Sequence, residues 1–129
     1  MEARLGREST IFLATVRGDG RPHLVPVWFV WLAEKLYFAT CAHSQKYTNL
    51  RGNQRVALSL PDTEQVIIFE GEAHACNRSL TAALADYFFD KYDWDFRTDD
   101  SCEWRLVEVT PHRIMMWGDE HDHEGTRLL

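Results

Sequence analysis

Thr40, Ser44 and Lys46 stand close together in "ATCAHSQKYTNL", where an apolar run gives way to a short helical pattern. Two hydroxyls and an ammonium at a helix start are the donors a phosphate group wants. The first backbone N–H groups of a helix have no intrahelical partners, and the positive end of the helix dipole lies behind them. Asn49 adds an amide one turn further on. The same residues also suit a simpler arrangement, in which Ser44 only caps its helix and Lys46 is solvated. Spacing alone leaves both open.

A second feature lies in "HLVPVWFVW", where Pro26 interrupts an apolar run. Proline donates no ladder hydrogen bond, so the strand carrying Pro26, Val27 and Trp28 is expected to be an edge strand, or to be bulged and unpaired on one side with a gap beside it. Tyr92, Trp94 and Phe96 alternate with aspartates in "KYDWDFRTDD". They read as an aromatic cover for the core, with stacking on a flat ligand as the alternative. His121 and His123 flank Asp122, a metal-ligand pattern in a tail with little to preorganise it, and no metal is assigned. His23, His43, His74 and His112 are scattered, and no serine or cysteine near them stands in a nucleophile motif. No catalytic residue is identified.

The elements that must hold these groups follow from periodicity. "TIFLATV" and the stretch after "RGDG" form a hairpin, the Asp-Gly pair marking its turn. "RPHLVPVWFVWLAEKLYFAT" gives two strands broken near Ala33 to Lys35, and Ser44 to Gly52 gives a helix of about two turns. "RVALSL" and "VIIFEGEAHA" are strands, the second with a glycine suited to a bulge. A longer helix capped by Ser79 carries Leu80, Ala83, Leu84, Tyr87 and Phe88 on one face. "EWRLVEVTPHRIMMWG" reads as two short strands broken at Thr110-Pro111, and the acidic tail 119–129 as loose. The expectation is a mainly β chain, with six or seven strands in a small closed or split barrel, one short and one longer helix, and a single domain over 1–118.

With 129 residues and 45% hydrophobic composition, the chain fills one domain with a real core. A formal net charge of -6 removes the basic field that nucleic acid or an anionic membrane surface would need, so neither is expected as a partner. No signal peptide or membrane-spanning run is visible, and a cytoplasmic protein is expected. Cys41, Cys76 and Cys102 form no CxxC pair and read as reduced, structural thiols.

Taken in order, "LATVRGDGRPHLVPVWFVW", "LYFATCAHSQKYTNLRGNQRVALSLP" and "VEVTPHRIMMWG" resemble the flavin-binding split barrels of the pyridoxamine 5'-phosphate oxidase-like superfamily. The resemblance runs from about Leu13 to Gly118. It implies a homodimer binding flavin mononucleotide (FMN) at the subunit interface and acting as an oxidoreductase on a small molecule. Thr40 and Lys46 take the positions of that family's phosphate-side contacts, with Ser44, Gln45 and Asn49 beside them. Pro26, Val27 and Trp28 take the strand against which the cofactor ring lies, and Trp117 the position that reaches the partner's site. The departures are as informative. The arginine and lysine that true oxidases carry on this strand are Val25 and Val30 here, the arginine before the lysine is Gln45, and their C-terminal "R-L-H-D-R" is reduced to "TRLL". The resemblance therefore speaks against pyridoxamine phosphate oxidation. It also allows a deazaflavin-dependent reductase of the same fold. A non-catalytic module for flavin, haem or a tetrapyrrole is the alternative outside enzyme chemistry.

Overall fold

The computed structural model describes residues 1–118 and the backbone of 125–128. Its elements in chain order are α1 (Glu2–Arg7), β1 (Ile11–Val16), β2 (Pro22–Val27), β3 (Val30–Leu32), β4 (Lys35–Cys41), α2 (Gln45–Gly52), β5 (Arg55–Ser59), β6 (Val66–Ala75), a 3-10 turn (Arg78–Leu80), α3 (Thr81–Tyr92), β7 (Trp104–Trp117) and β8 (Gly125–Leu128). The strands form one antiparallel sheet in the order β2-β1-β5-β6-β7-β4-β3, with β8 added beside β7. Consecutive strands β2 and β3 are the two ends of that path, and only Trp28 and Phe29 connect them. The sheet must therefore curl until its edges meet, which makes a split barrel.

Two hairpins set the register at this seam. After β1, Gly20 takes φ 89° and its N–H reaches Arg17 O at 2.9 Å, the three-residue loop that a final glycine permits. Between β3 and β4, Ala33 and Glu34 both have positive φ (52° and 62°), a type I′ turn built without glycine or asparagine.

Side chains alternate in and out along each strand, and the inward set fills the barrel. Ile11, Leu13, Phe29, Leu36, Phe38, Ile67, Phe69, Val109 and Ile114 are all fully buried there. A second core lies outside the barrel. Val30 and Tyr37 face outward from β3 and β4 and are covered by Leu84, Ala85 and Phe88 of α3 and by Phe96. No helix among the described residues is long and apolar enough to cross a membrane.

The sheet departs from the sequence reading in three places. The run 104–117 is one strand of 14 residues and not two, because Pro111 falls at a bulge where a missing donor does no harm. There Gly71 opposes Pro111 and Glu70 opposes Arg113, which leaves His112 as the extra residue. Gly71 is required at this point, since a Cβ would collide with the Thr110 carbonyl. Residues Gly125–Leu128, read as loose, pair with Arg113 to Met116, and the short β3 raises the strand total to eight. His121 and His123 lie outside the described residues.

Three helical details differ as well. An unpredicted helix, α1, buries Leu5 completely and leaves Arg4 5% exposed, with Nη2 3.5 Å from Asp62. Asn77 rather than Ser79 caps the entry to α3, accepting from Ser79 N at 3.0 Å. The inward face of α3 is Leu84, Ala85 and Phe88, whereas Leu80, Ala83 and Tyr87 are exposed, because the preceding 3-10 turn rotates the start of the helix. Finally, Cys41 and Cys102 are not separate thiols. Cys41 ends β4 opposite Trp104, Cys102 lies two residues before β7 begins, and with Cα atoms 5.6 Å apart the two are joined as a disulfide; Cys76 is free.

Candidate functional site

The seam between β2 and β3 is clamped by the end of α3. Tyr92 Oη accepts from Phe29 N at 2.9 Å and has Ser9 O (2.8 Å) and Phe29 O (2.9 Å) as acceptors for its own hydrogen. Lys91 Nζ donates to Phe29 O at 2.9 Å and Leu5 O at 3.1 Å, and lies 3.9 Å from the centroid of the Phe29 ring. Burial pushes the Lys91 ammonium down to about 8 and the Tyr92 phenol up to about 12. With its backbone fixed, Trp28 stacks on Tyr92 at 4.6 Å and 2° while remaining 49% exposed. One face of that indole is held and the rest is offered to solvent.

Across from the seam, Ser44 caps α2 by accepting from Tyr47 N at 3.2 Å. Its hydroxyl is also 2.9 Å from Thr40 Oγ1, and Thr40 is 1% exposed. The two hydroxyls therefore fix the first turn, and the N–H groups of Gln45 and Lys46 precede the first intrahelical bond, Thr48 N to Ser44 O. Gln45 Nε2 donates to Asn49 Oδ1 (2.7 Å), and Asn49 Nδ2 donates to the buried Thr15 Oγ1 (2.9 Å). This chain of bonds pins α2 to β1. Lys46 is half-buried, has no acidic partner among the described residues, and is held below the usual ammonium range by desolvation.

The two regions meet at a cavity of about 350 Å³. Pro26, Val27, Trp28 and Ala39 form one wall, Lys46 supplies the cation, and Phe88, Trp94, Asp99 and Trp104 close the other side. Of the residues expected from sequence, the structure brings Pro26, Val27, Trp28 and Lys46 to this one cavity. Thr40 and Ser44 build the turn beneath Lys46. Gln45 and Asn49 face elsewhere, into a separate cavity of about 530 Å³ with Arg17. Asn49 is only 3% exposed and already bonded, whereas Gln45 is exposed. Trp117 ends β7, at the opposite end of that strand from Trp104, and shares the outer face of the sheet with Val66 and Ile68. Trp31 packs on Phe69 at 5.5 Å as a core ring.

Sequence reasoning missed Ala39, Phe88, Asp99 and Trp104. Trp104 was legible by strand parity, since the inward Val107 and Val109 force residues 104 and 106 outward onto the α3 side. Asp99 had one signal, the Asp-x-Ser spacing in which a carboxylate accepts its own loop's N–H, seen here as Ser101 N to Asp99 Oδ1 at 2.9 Å.

The chain is similar to a solved F420 reductase, with 30% identity, 88% of this chain and 94% of that chain covered, and a TM-score of 0.73. A structure of a putative pyridoxamine 5'-phosphate oxidase from Listeria innocua matches at 21% identity, with 91% and 94% covered and a TM-score of 0.74. A heme binding protein from Mycobacterium smegmatis matches at 17% identity and a TM-score of 0.82, covering 98% of this chain and 56% of that one. The last two matches establish the fold alone. No curated protein sequence matches the chain. The model of the pyridoxamine 5'-phosphate oxidase family spans residues 1–118, so the chain is a member of that family.

Proposed function

We propose that the chain is an oxidoreductase that binds a flavin-type cofactor in the Trp28–Lys46 cavity. The ring lies against Pro26, Val27 and Trp28, and the phosphate against Lys46 and the start of α2. One observation carries this: a half-buried lysine without a counterion among the described residues lines the same cavity as an exposed indole whose other face is fixed. An unpaired cation at that depth favours an anionic ligand. When bound, such a cofactor supplies the hydride donor and acceptor at its ring. The protein's part is to stack the ring, ground the phosphate and keep water from the face beneath Trp94 and Trp104.

A deazaflavin of the F420 type is the form these residues favour. Its phosphate is a diester with a single charge, which matches the one cation Lys46, whereas a phosphate monoester carries roughly 1.5 to 2 charges near neutral pH. The 30% identical F420 reductase supports the same choice. FMN is the second reading, supported by the family to which the chain belongs. Haem fits less well, because none of the described residues lining the cavity is a histidine, cysteine, methionine or tyrosine that could hold iron. Lys46→Ala tests the site directly. It should weaken cofactor binding by about 2 kcal/mol, the worth of a charged hydrogen bond, and an unchanged dissociation constant would remove Lys46 from the site.

The active form we infer is a homodimer. Phe12, Ala14 and Val16 of β1 face outward beside Pro26, Leu24 and Pro22 of β2, and Ala57 and Ser59 of β5 continue the same face. Leu24 is 65% exposed in the single chain. The apolar face extends across Ile68 to Met115 and Trp117. A second copy covering it is the arrangement in which Trp117 meets a partner's cavity, next to Pro26.

A further inference from the structure

The cavity has a charge at each side, and only Lys46 is used by the reading above. Asp99 is the other. It is held by its own loop: Oδ2 accepts from Trp94 Nε1 at 2.8 Å, and Oδ1 accepts from Ser101 N at 2.9 Å and from Ser101 Oγ at 2.5 Å. The Ser101 hydroxyl, then the Trp94 indole, then the Ser101 N–H bring its carboxyl down to about 2. Trp104 Nε1, buried and without a hydrogen bond of its own among the described residues, adds to the same field. Yet no lysine, arginine or histidine among the described residues pairs with Asp99, whereas its neighbour Asp95 is met by Arg97 at 2.9 Å. The anion is fixed in position and left without a cation.

Its surroundings are aromatic. Trp94 meets Trp104 edge-on at 4.9 Å and Trp28 edge-on at 6.0 Å, and all three indoles line the cavity with Asp99. Indole faces and a carboxylate are the two groups that bind an organic ammonium. A net charge of -6 draws cations toward the molecule from a distance. We propose that this side of the cavity is its substrate end, and that Asp99 with Trp94 and Trp104 selects an organic cation, an alkylated or aromatic ammonium. The inference rests on the cofactor reading only in assigning Lys46 to the cofactor's phosphate.

The test uses tryptophan fluorescence with three ligands of similar shape: 1-methylquinolinium, quinoline at a pH where it is uncharged, and 1-naphthoate. Wild-type protein should bind 1-methylquinolinium roughly tenfold more tightly than either of the others, the scale of one charged contact. Asp99→Asn, which keeps size and the acceptor for Ser101 and gives up the one for Trp94, should lose that preference. Equal wild-type binding of quinoline or naphthoate would overturn the proposal, as would a preference that survives Asp99→Asn. Joint loss of cation and cofactor in Asp99→Asn would also overturn it, by assigning Asp99 to the cofactor. If neither cofactor binds but the cation preference and its loss hold, this inference stands and the cofactor reading falls.

Discussion

The outer surface of the barrel is treated in two ways. Over β3, β4 and the first half of β7, outward Val30 and Tyr37 are roofed by Leu84, Ala85, Phe88 and Phe96, so that half carries a second core within the chain. Over β1, β2 and β5, outward Phe12, Ala14, Leu24 and Pro26 have no element above them among the described residues. The cavity lies on the border, with Pro26 and Trp28 from the open half and Phe88, Trp94 and Trp104 from the roofed half. A ligand there touches both, so the site would join the chain's own second core on one side to the proposed dimer face on the other.

Substitutions should separate the halves. Phe88→Ala is expected to have the largest effect, about 3 to 5 kcal/mol of lost stability in urea unfolding, because a fully buried ring is replaced by a void between α3 and the sheet. Leu24→Asp should leave the unfolding midpoint of the isolated chain within about 0.5 kcal/mol of wild type, as for an exposed position, and yet abolish the dimer in sedimentation. Equal stability losses at the two positions would erase the distinction. Dilution of the wild type to monomer should release the cofactor along with the partner's Trp117, and a monomer retaining its cofactor as tightly would break the coupling.

A smaller effect comes from the clamp at the seam. Burial lowers Lys91 from an ordinary 10.5 to about 8. Between those values the unfolded chain holds the proton and the folded chain does not, so stability gains with rising pH across that window and not below it. Lys91→Met has no proton to exchange. The difference between wild-type and Lys91→Met unfolding curves should therefore grow from pH 8 to pH 10.5, and a flat difference would place Lys91 in water.

Much of this was legible because local chemistry and tertiary demand agreed. The Asp-Gly hairpin, the Ser44 cap, the bulge at Gly71 and the edge position of Pro26 each follow from one residue's backbone needs, and those needs are met in place. What escaped depends on distant partners. Pro111 reads as a strand break until Gly71 is seen opposite, and Cys41 and Cys102 read as lone thiols until the pairing of β4 with β7 brings the turn before β7 beside the end of β4. The site divides likewise. Lys46 and Trp28 announce themselves by type and setting, but Asp99 becomes notable only when Trp94 and Trp104 fold over it. Asn49 is the converse case, since its amide is open to a ligand in the sequence reading and is bonded to Thr15 in the fold.

The most direct test of the central claim is equilibrium binding of F420 and of FMN to the purified protein, followed by quenching of tryptophan fluorescence, with Lys46→Ala alongside. We expect F420 to bind, to quench through the Trp28 indole, and to lose about 2 kcal/mol of affinity in the variant. Binding of neither cofactor, or binding that leaves tryptophan emission and the Lys46→Ala affinity unchanged, would contradict the assignment of this cavity to a redox cofactor.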